Sequence, residues 1–144
     1  MALPPKLAET VNEFQLADRE TLLYLLLDFS DRLPALPERY AEARDAGLGR
    51  VHECQTPVFV FPEVRHGEVT LHADVPRESP TVRGVVSVLR HGLDGASPED
   101  VANLPDDLLH QMGIIDAVGM MRQQGLSAVL QRIKYTVKEA AAMK

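Results

Sequence analysis

The chain holds one cysteine, Cys54, in the stretch Arg50-Val51-His52-Glu53-Cys54-Gln55-Thr56-Pro57. A glycine-bearing segment, Asp45-Ala46-Gly47-Leu48-Gly49, leads into it, and the apolar run Val58-Phe59-Val60-Phe61 follows. Reactive thiols are often carried this way, on a loop anchored by a rigid strand. Taken alone, a free cysteine reads first as buried core filling, since free Cys is among the most buried residue types. His52 lies two residues away, which on an extended chain is the same side. It can favour a thiolate, while Glu53 opposes one by like-charge repulsion. The plainer reading of His52 is a solvated loop residue. A hydrolase built on Cys54 would need a histidine and an orienting group converging on it.

Other chemistries find little support. The five histidines, His52, His66, His72, His91 and His110, form no H-E-x-x-H pattern, and one cysteine forms no C-x-x-C pair. No glycine-rich phosphate loop or dinucleotide fingerprint is present. The acidic pairs Glu99-Asp100 and Asp106-Asp107 sit where helices start, and acids are favoured there by the helix dipole. A net charge of −6 and a pI near 5.3 argue against nucleic acid, which calls for a basic face. A single cysteine excludes an internal disulfide and fits a reducing compartment. The longest apolar run, Leu22 to Leu27, is too short to span a bilayer. The residues after Met1 lack the pattern of a secretory signal. A cytoplasmic protein, not bound to membrane or nucleic acid, is the expectation.

Cys54 must be positioned by the elements around it. Leu7 to Phe14 reads as a short helix. Asp18 is placed to cap a second helix from Arg19 to about Arg32. Its Leu22, Leu23, Leu25, Leu26 and Phe29, with Leu33, make a stripe wide enough for a central core element. Leu33-Pro34-Ala35-Leu36-Pro37 stops it. Residues 38–46 read as a helical turn or a loop. Thr56 to Val64 reads as a strand from its β-branched and aromatic content, with Pro57 and Pro62 confining it near an edge. Arg65-His66-Gly67 supplies a turn. Glu68 to Val75 then alternates, Val69, Leu71, Ala73 and Val75 facing one way. The pair predicts an antiparallel hairpin directly behind Cys54. A helix follows from about Thr81 to His91, ended by Gly92 and Gly95. Ser97-Pro98-Glu99-Asp100 is a strong helix start. Leu104 to Gly113 holds a further short helix, Ile114 to Gly119 a connector or short helix, and about Arg122 to Ala142 the last helix. The order predicts a single α+β domain over 1–144, with helices packed on one face of a small antiparallel sheet.

An ordered set of segments carries a family likeness. Arg32-Leu33-Pro34-Ala35-Leu36, Cys54-Gln55-Thr56 with its valine-aromatic strand, Leu71 to Asp74, Val82-Arg83-Gly84, Ser97-Pro98-Glu99-Asp100-Val101 and Arg122-Gln123-Gln124-Gly125-Leu126 resemble the SufE family of sulfur acceptors, from about Leu16 to Lys138. The resemblance implies a SufE-like fold. It implies a partner, a pyridoxal-phosphate-dependent cysteine desulfurase of the SufS kind, whose persulfide sulfur is attacked by Cys54. It implies that the chain stimulates that desulfurase rather than acting as a stand-alone enzyme, and that the sulfur goes on to an iron–sulfur scaffold. The pyridoxal phosphate belongs to the partner, so no cofactor is expected here beyond a transient persulfide on Cys54. Arg122, at the head of the last helix, is implied to contact the partner or the region of Cys54, against the plainer reading of an exposed helix-start residue. Gln55 matches the family motif and, with His52 and Glu53, is a candidate loop residue for contacting the partner, against the plainer reading that it only pins the loop by hydrogen bonds.

One position departs from the family pattern. The family usually has Gly immediately before the cysteine, and this chain has Glu53. Glutamate adopts positive φ only at a cost, so a stiffer or differently shaped loop is expected, with altered thiol acidity or partner choice. Gly47 and Gly49 are expected to let the loop move, and an apolar shelter to protect a carried persulfide. Two rivals stand beside this reading. One is a non-catalytic interaction module in which Cys54 is packing. The other is a one-cysteine thiol peroxidase or reductase, which usually relies on a resolving cysteine that this chain lacks.

Overall fold

The structure is a computed structural model and describes residues 3–143. Two helices open it, α1 (Pro5–Leu16) and α2 (Arg19–Arg32). Asp18 caps α2 as its sequence predicts, its carboxylate accepting the Thr21 amide proton at 2.8 Å. A 3-10 turn, Glu38–Tyr40, runs into α3 (Ala41–Asp45), and two strands follow, β1 (Phe59–Arg65) and β2 (Glu68–Asp74). The remaining helices are α4 (Pro80–Leu93), α5 (Pro98–Ala102), α6 (Leu108–Gln111), α7 (Ile114–Val118) and α8 (Gln123–Ala142), with a 3-10 turn, Met120–Arg122, just before α8. Ser97 caps α5 through the Asp100 amide, 3.1 Å away.

The strands form an antiparallel hairpin with Arg65 paired to Glu68. Its two turn residues, His66 and Gly67, have φ of 52° and 76°. Positive φ at both central positions is the signature of a type I′ turn, whose twist matches the strands it joins. Hydrogen-bonded pairs alternate outward from that turn, so Pro62, opposite Leu71, falls where no ladder bond to β2 is needed. On β2 the alternation holds: Val69, Leu71 and Ala73 are buried, and Thr70, His72 and Asp74 are half-buried. The first strand begins at Phe59 rather than Thr56, because residues 52–57 turn instead of extending.

Both α2 and α4 are core elements, and α4 is the more deeply buried. In α2 only Leu22, Leu26, Phe29 and Ser30 are buried, whereas α4 is buried almost continuously from Val82 to Leu89. It packs on α1, α2, β2 and α8. Gly92 does not end it but lies within it, where a Cβ would sit 2.7 Å from Leu7 Cδ1. That closeness lets α1 cross α4. A charged residue also stands in this apolar helix. Arg83 is 7% exposed and donates to three carbonyls, Ser30 O at 2.9 Å, Val75 O at 2.5 Å and Leu33 O at 3.1 Å. It thereby ties the C-terminal carbonyls of α2 to the residue that follows β2.

Helices and sheet share one apolar core, with α4 against β2 and α8 against β1. The other side of the sheet is crossed by residues 38–45. Arg39 pairs with Glu63 at 2.5 Å, Tyr40 donates its hydroxyl proton to Glu63 and stacks on Phe61 with centroids 4.7 Å apart, and Arg44 pairs with Asp74 at 3.1 Å. The segment leading to Cys54 is therefore fixed to the sheet.

Candidate functional site

The site is the tip of a second, smaller hairpin. Val60 N–H donates to Gly49 O and Val51 N–H to Val58 O, both at 2.9 Å, with an antiparallel bridge between Arg50 and Phe59. These bonds use the outward edge of β1, the edge that β2 leaves free. Residues 52–57 close the hairpin, and the Cys54 amide donates to Val51 O at 3.2 Å within that turn. Of the two glycines before the tip, Gly49 is packed, with φ of 78° and room for no Cβ, which would lie 2.8 Å from the Phe61 ring, whereas a Cβ on Gly47 would meet nothing within 4 Å. From the other side, the Arg132 guanidinium of α8 donates to Arg50 O at 3.2 Å.

Cys54 points inward and is 7% exposed. Its seat is the start of α8. A Cβ placed on Gly125 would lie 3.0 Å from Cys54 Cα and 3.3 Å from both its Cβ and its Sγ. Gly125 and Arg132 lie about two helical turns apart on α8, and hold the tip and the base of the hairpin respectively. A cavity of about 260 Å³ opens beside the thiol, bounded by Thr56, Val82, Arg122, Gly125 and Leu126. Thr56 Oγ1 also reaches Ser79 Oγ at 3.4 Å, linking the tip to the start of α4.

Burial pushes the Cys54 thiol pKa up; the Thr56 amide and the charges of Arg50 and Arg122 pull the other way without overcoming it. The thiol at rest is therefore neutral and sheltered, with two arginine charges that oppose the rise. His52 stands differently from what an extended chain predicts. The turn leaves His52 and Glu53 exposed while Cys54 is buried, and of the two only Glu53 lines the cavity beside the thiol. The groups bearing on thiol acidity are Arg50 and Arg122 rather than His52 or Glu53. Glu53 is not among the residues with positive φ, so this turn asks for no glycine at its position. Gln55 is exposed, and Arg122, exposed too, closes the 3-10 turn before α8 at the cavity rim. Among the described residues, no three His, Cys, Asp or Glu side chains gather as a metal site, and no helix is long and apolar enough to cross a membrane.

Residues 8–137 match the family described as SufE, an Fe-S metabolism associated domain. The chain belongs to the SufE family. An uncharacterized SufE-like protein of Mycobacterium tuberculosis is 38% identical over 140 residues, covering 96% of each chain. The cysteine desulfuration protein SufE of Plasmodium falciparum is 25% identical over 137 residues, covering 92% of this chain and 53% of that one. The solution structure of a hypothetical protein from Thermus thermophilus superposes with a TM-score of 0.86 at 35% identity, covering 98% of this chain and 99% of that one.

For this SufE chain, the sequence reading reached Cys54 and Arg122 but missed what seats the thiol. Gly125 belongs to the Arg-x-x-Gly-Leu segment that carries the likeness, yet only packing reveals its contact with a residue so far back in the chain. Arg50, Thr56 and Val82 likewise come to the thiol only through packing. The one available signal was a glycine inside the first turn of a long amphipathic helix, where propensity alone disfavours it.

Proposed function

We propose that this SufE-family chain is a sulfur carrier that takes persulfide sulfur from a pyridoxal-phosphate-dependent cysteine desulfurase onto Cys54. The observation that carries the reading is a lone thiol, sheltered at a hairpin tip beside a cavity and two arginines. In the transfer, the Cys54 thiolate attacks the outer sulfur of the donor persulfide. A new S–S bond forms on Cys54 as the donor S–S bond breaks, and the donor departs as a thiolate that takes up a proton. No external oxidant or reductant is consumed. The sulfur then passes to iron–sulfur cluster assembly, and draining the donor stimulates the desulfurase. Arg122 and Arg50 favour the attacking thiolate, while Gln55, His52 and Glu53 lie on the solvent side of the tip, where a partner docks. Pyridoxal phosphate stays with the partner, and a reducing cytoplasm suits the single thiol. A neutral, buried resting thiol argues against the peroxidase reading, since peroxide reacts with exposed thiolates.

The test is intact-protein mass after incubation with an active cysteine desulfurase and free cysteine. The expected result is a gain of one or more sulfur atoms that reductant reverses and that Cys54→Ser abolishes. A blank with several active desulfurases, or a gain that survives Cys54→Ser, sinks the carrier reading.

A further inference from the structure

Gly125 is buried as the third residue of α8 and has no left-handed φ, so nothing in its backbone calls for glycine. Alanine is the better helix former at such a position. What lies against it is Cys54, at distances shorter than side chains normally tolerate from a Cβ. We propose that Gly125 is a positioning residue for Cys54: the missing side chain is what lets the thiol seat against α8, so the size of residue 125 sets how often Cys54 is presented to solvent or to a partner.

The question is which side yields when residue 125 grows. The helix backbone is fixed by its own hydrogen bonds and by Leu126, Val129, Leu130 and Ile133, all fully buried. The hairpin base is fixed by the two bonds that join Gly49 and Val51 to the residues entering and opening β1. Among the described residues, the tip keeps the Cys54 N to Val51 O bond, the Thr56 amide bond to the thiol within the tip itself, and the long Thr56–Ser79 contact of 3.4 Å. The tip is the weakest of the three and moves first. Seated and displaced tips then form a two-state element that the volume at position 125 biases. The consequence for sulfur transfer rests on the carrier reading; the seating does not.

Alkylation of the full-length chain by iodoacetamide, followed by intact mass, reads the seating directly, with Gly125→Ala and Gly125→Val set against wild type. Overpacking of this closeness shifts the seated population enough to raise the rate roughly tenfold in Gly125→Ala, and further in Gly125→Val. If the glycine were only an ordinary helix residue, alanine would raise the unfolding midpoint and leave the rate unchanged. That outcome overturns the proposal. Because valine can loosen the whole fold, its rate is followed in low urea. A rate independent of urea well below the unfolding transition supports local displacement, and one that tracks global unfolding counts against it. With desulfurase and cysteine added, Gly125→Ala should load sulfur and lose it to reductant faster than wild type. No sulfur gain in any form, with the alkylation series intact, defeats the carrier reading alone; a flat alkylation series with normal sulfur gain defeats the seat alone.

Discussion

Arg83 and Cys54 are equally buried, each 7% exposed, and are held in opposite ways. Arg83 sits where the end of α2 meets the residue that follows β2 and donates to three carbonyls there, Ser30 O, Leu33 O and Val75 O. Displacing it would strand those acceptors and a charge. Cys54 sits at one hairpin tip, held by contact with Gly125 and by little hydrogen bonding. Displacing it forfeits some packing and two weak polar contacts, its amide to Val51 O at 3.2 Å and the Thr56 amide to its thiol, which water replaces at an exposed tip. Burial by itself therefore does not say whether a group is structural or mobile. The number of polar bonds that must break on exposure does, because an unmade buried bond costs more than a made one contributes.

The comparison is sharpest in stability. Arg83→Met is expected to cost about 3 kcal/mol or more, as three buried acceptors lose a charged donor. Cys54→Ala is expected to cost about 1 kcal/mol, the loss of one small buried group beside an existing cavity. Urea unfolding at pH 7, with the slope checked for two-state behaviour, measures both. Equal losses would break the comparison by making Cys54 as structural as Arg83. Arg83→Lys should fall between, since an ammonium lacks the planar fork that reaches several carbonyls at once.

A second contrast lies inside the Cys54 hairpin, between its free tip and the fixed segment that feeds it. Glu63 is the anchor of that segment. Burial raises its pKa, but Arg39, Tyr40 and His72 outweigh burial and hold it at about 2, below its ordinary 4.5. The sign follows from that depression. Unfolded chains protonate first, so the stabilisation is present above pH 4.5 and is lost as the pH falls towards about 2. Glu63→Gln is expected to cost about 1 kcal/mol at pH 7 and to lie closer to wild type at about pH 2.5. Urea midpoints at the two pH values check it. A constant gap would mean that the network holds by shape rather than charge.

What could be read from the chain follows the range of the interaction. The Asp18 and Ser97 caps, the His66-Gly67 turn and the alternation from Val69 to Ala73 are set by residues within a few positions of each other, and each stands as predicted. Cys54 was legible as a candidate because it is unique. Its burial was among the readings too; the turn at residues 52–57 that carries it inward was not, since that turn depends on pairing between residues 49–51 and residues 58–60. The deeper burial of α4 than of α2 has a similar cause. Leucines outrank valines by size, but Gly84 and Gly92 let α4 approach its neighbours more closely, and only packing shows that. Arg83 carried a hint, a lone charge within an apolar helix stripe, but its three carbonyl partners come from outside that helix.

The smallest expected effect concerns Glu53, where the family usually has glycine. An expectation of a stiffened loop assumed a left-handed backbone, and the structure places Glu53 outside that region and in solvent. Glu53→Gly therefore relieves no strain and removes no buried contact; its one consequence is a more flexible unfolded chain. The unfolding free energy should move by no more than about 0.5 kcal/mol, and the Cys54 alkylation rate by no more than about twofold. A markedly faster alkylation would show that Glu53 restrains the tip after all. In that case tip mobility would be set from two positions, Glu53 within the turn and Gly125 beneath it, and relatives with glycine before the cysteine would open more readily than this chain.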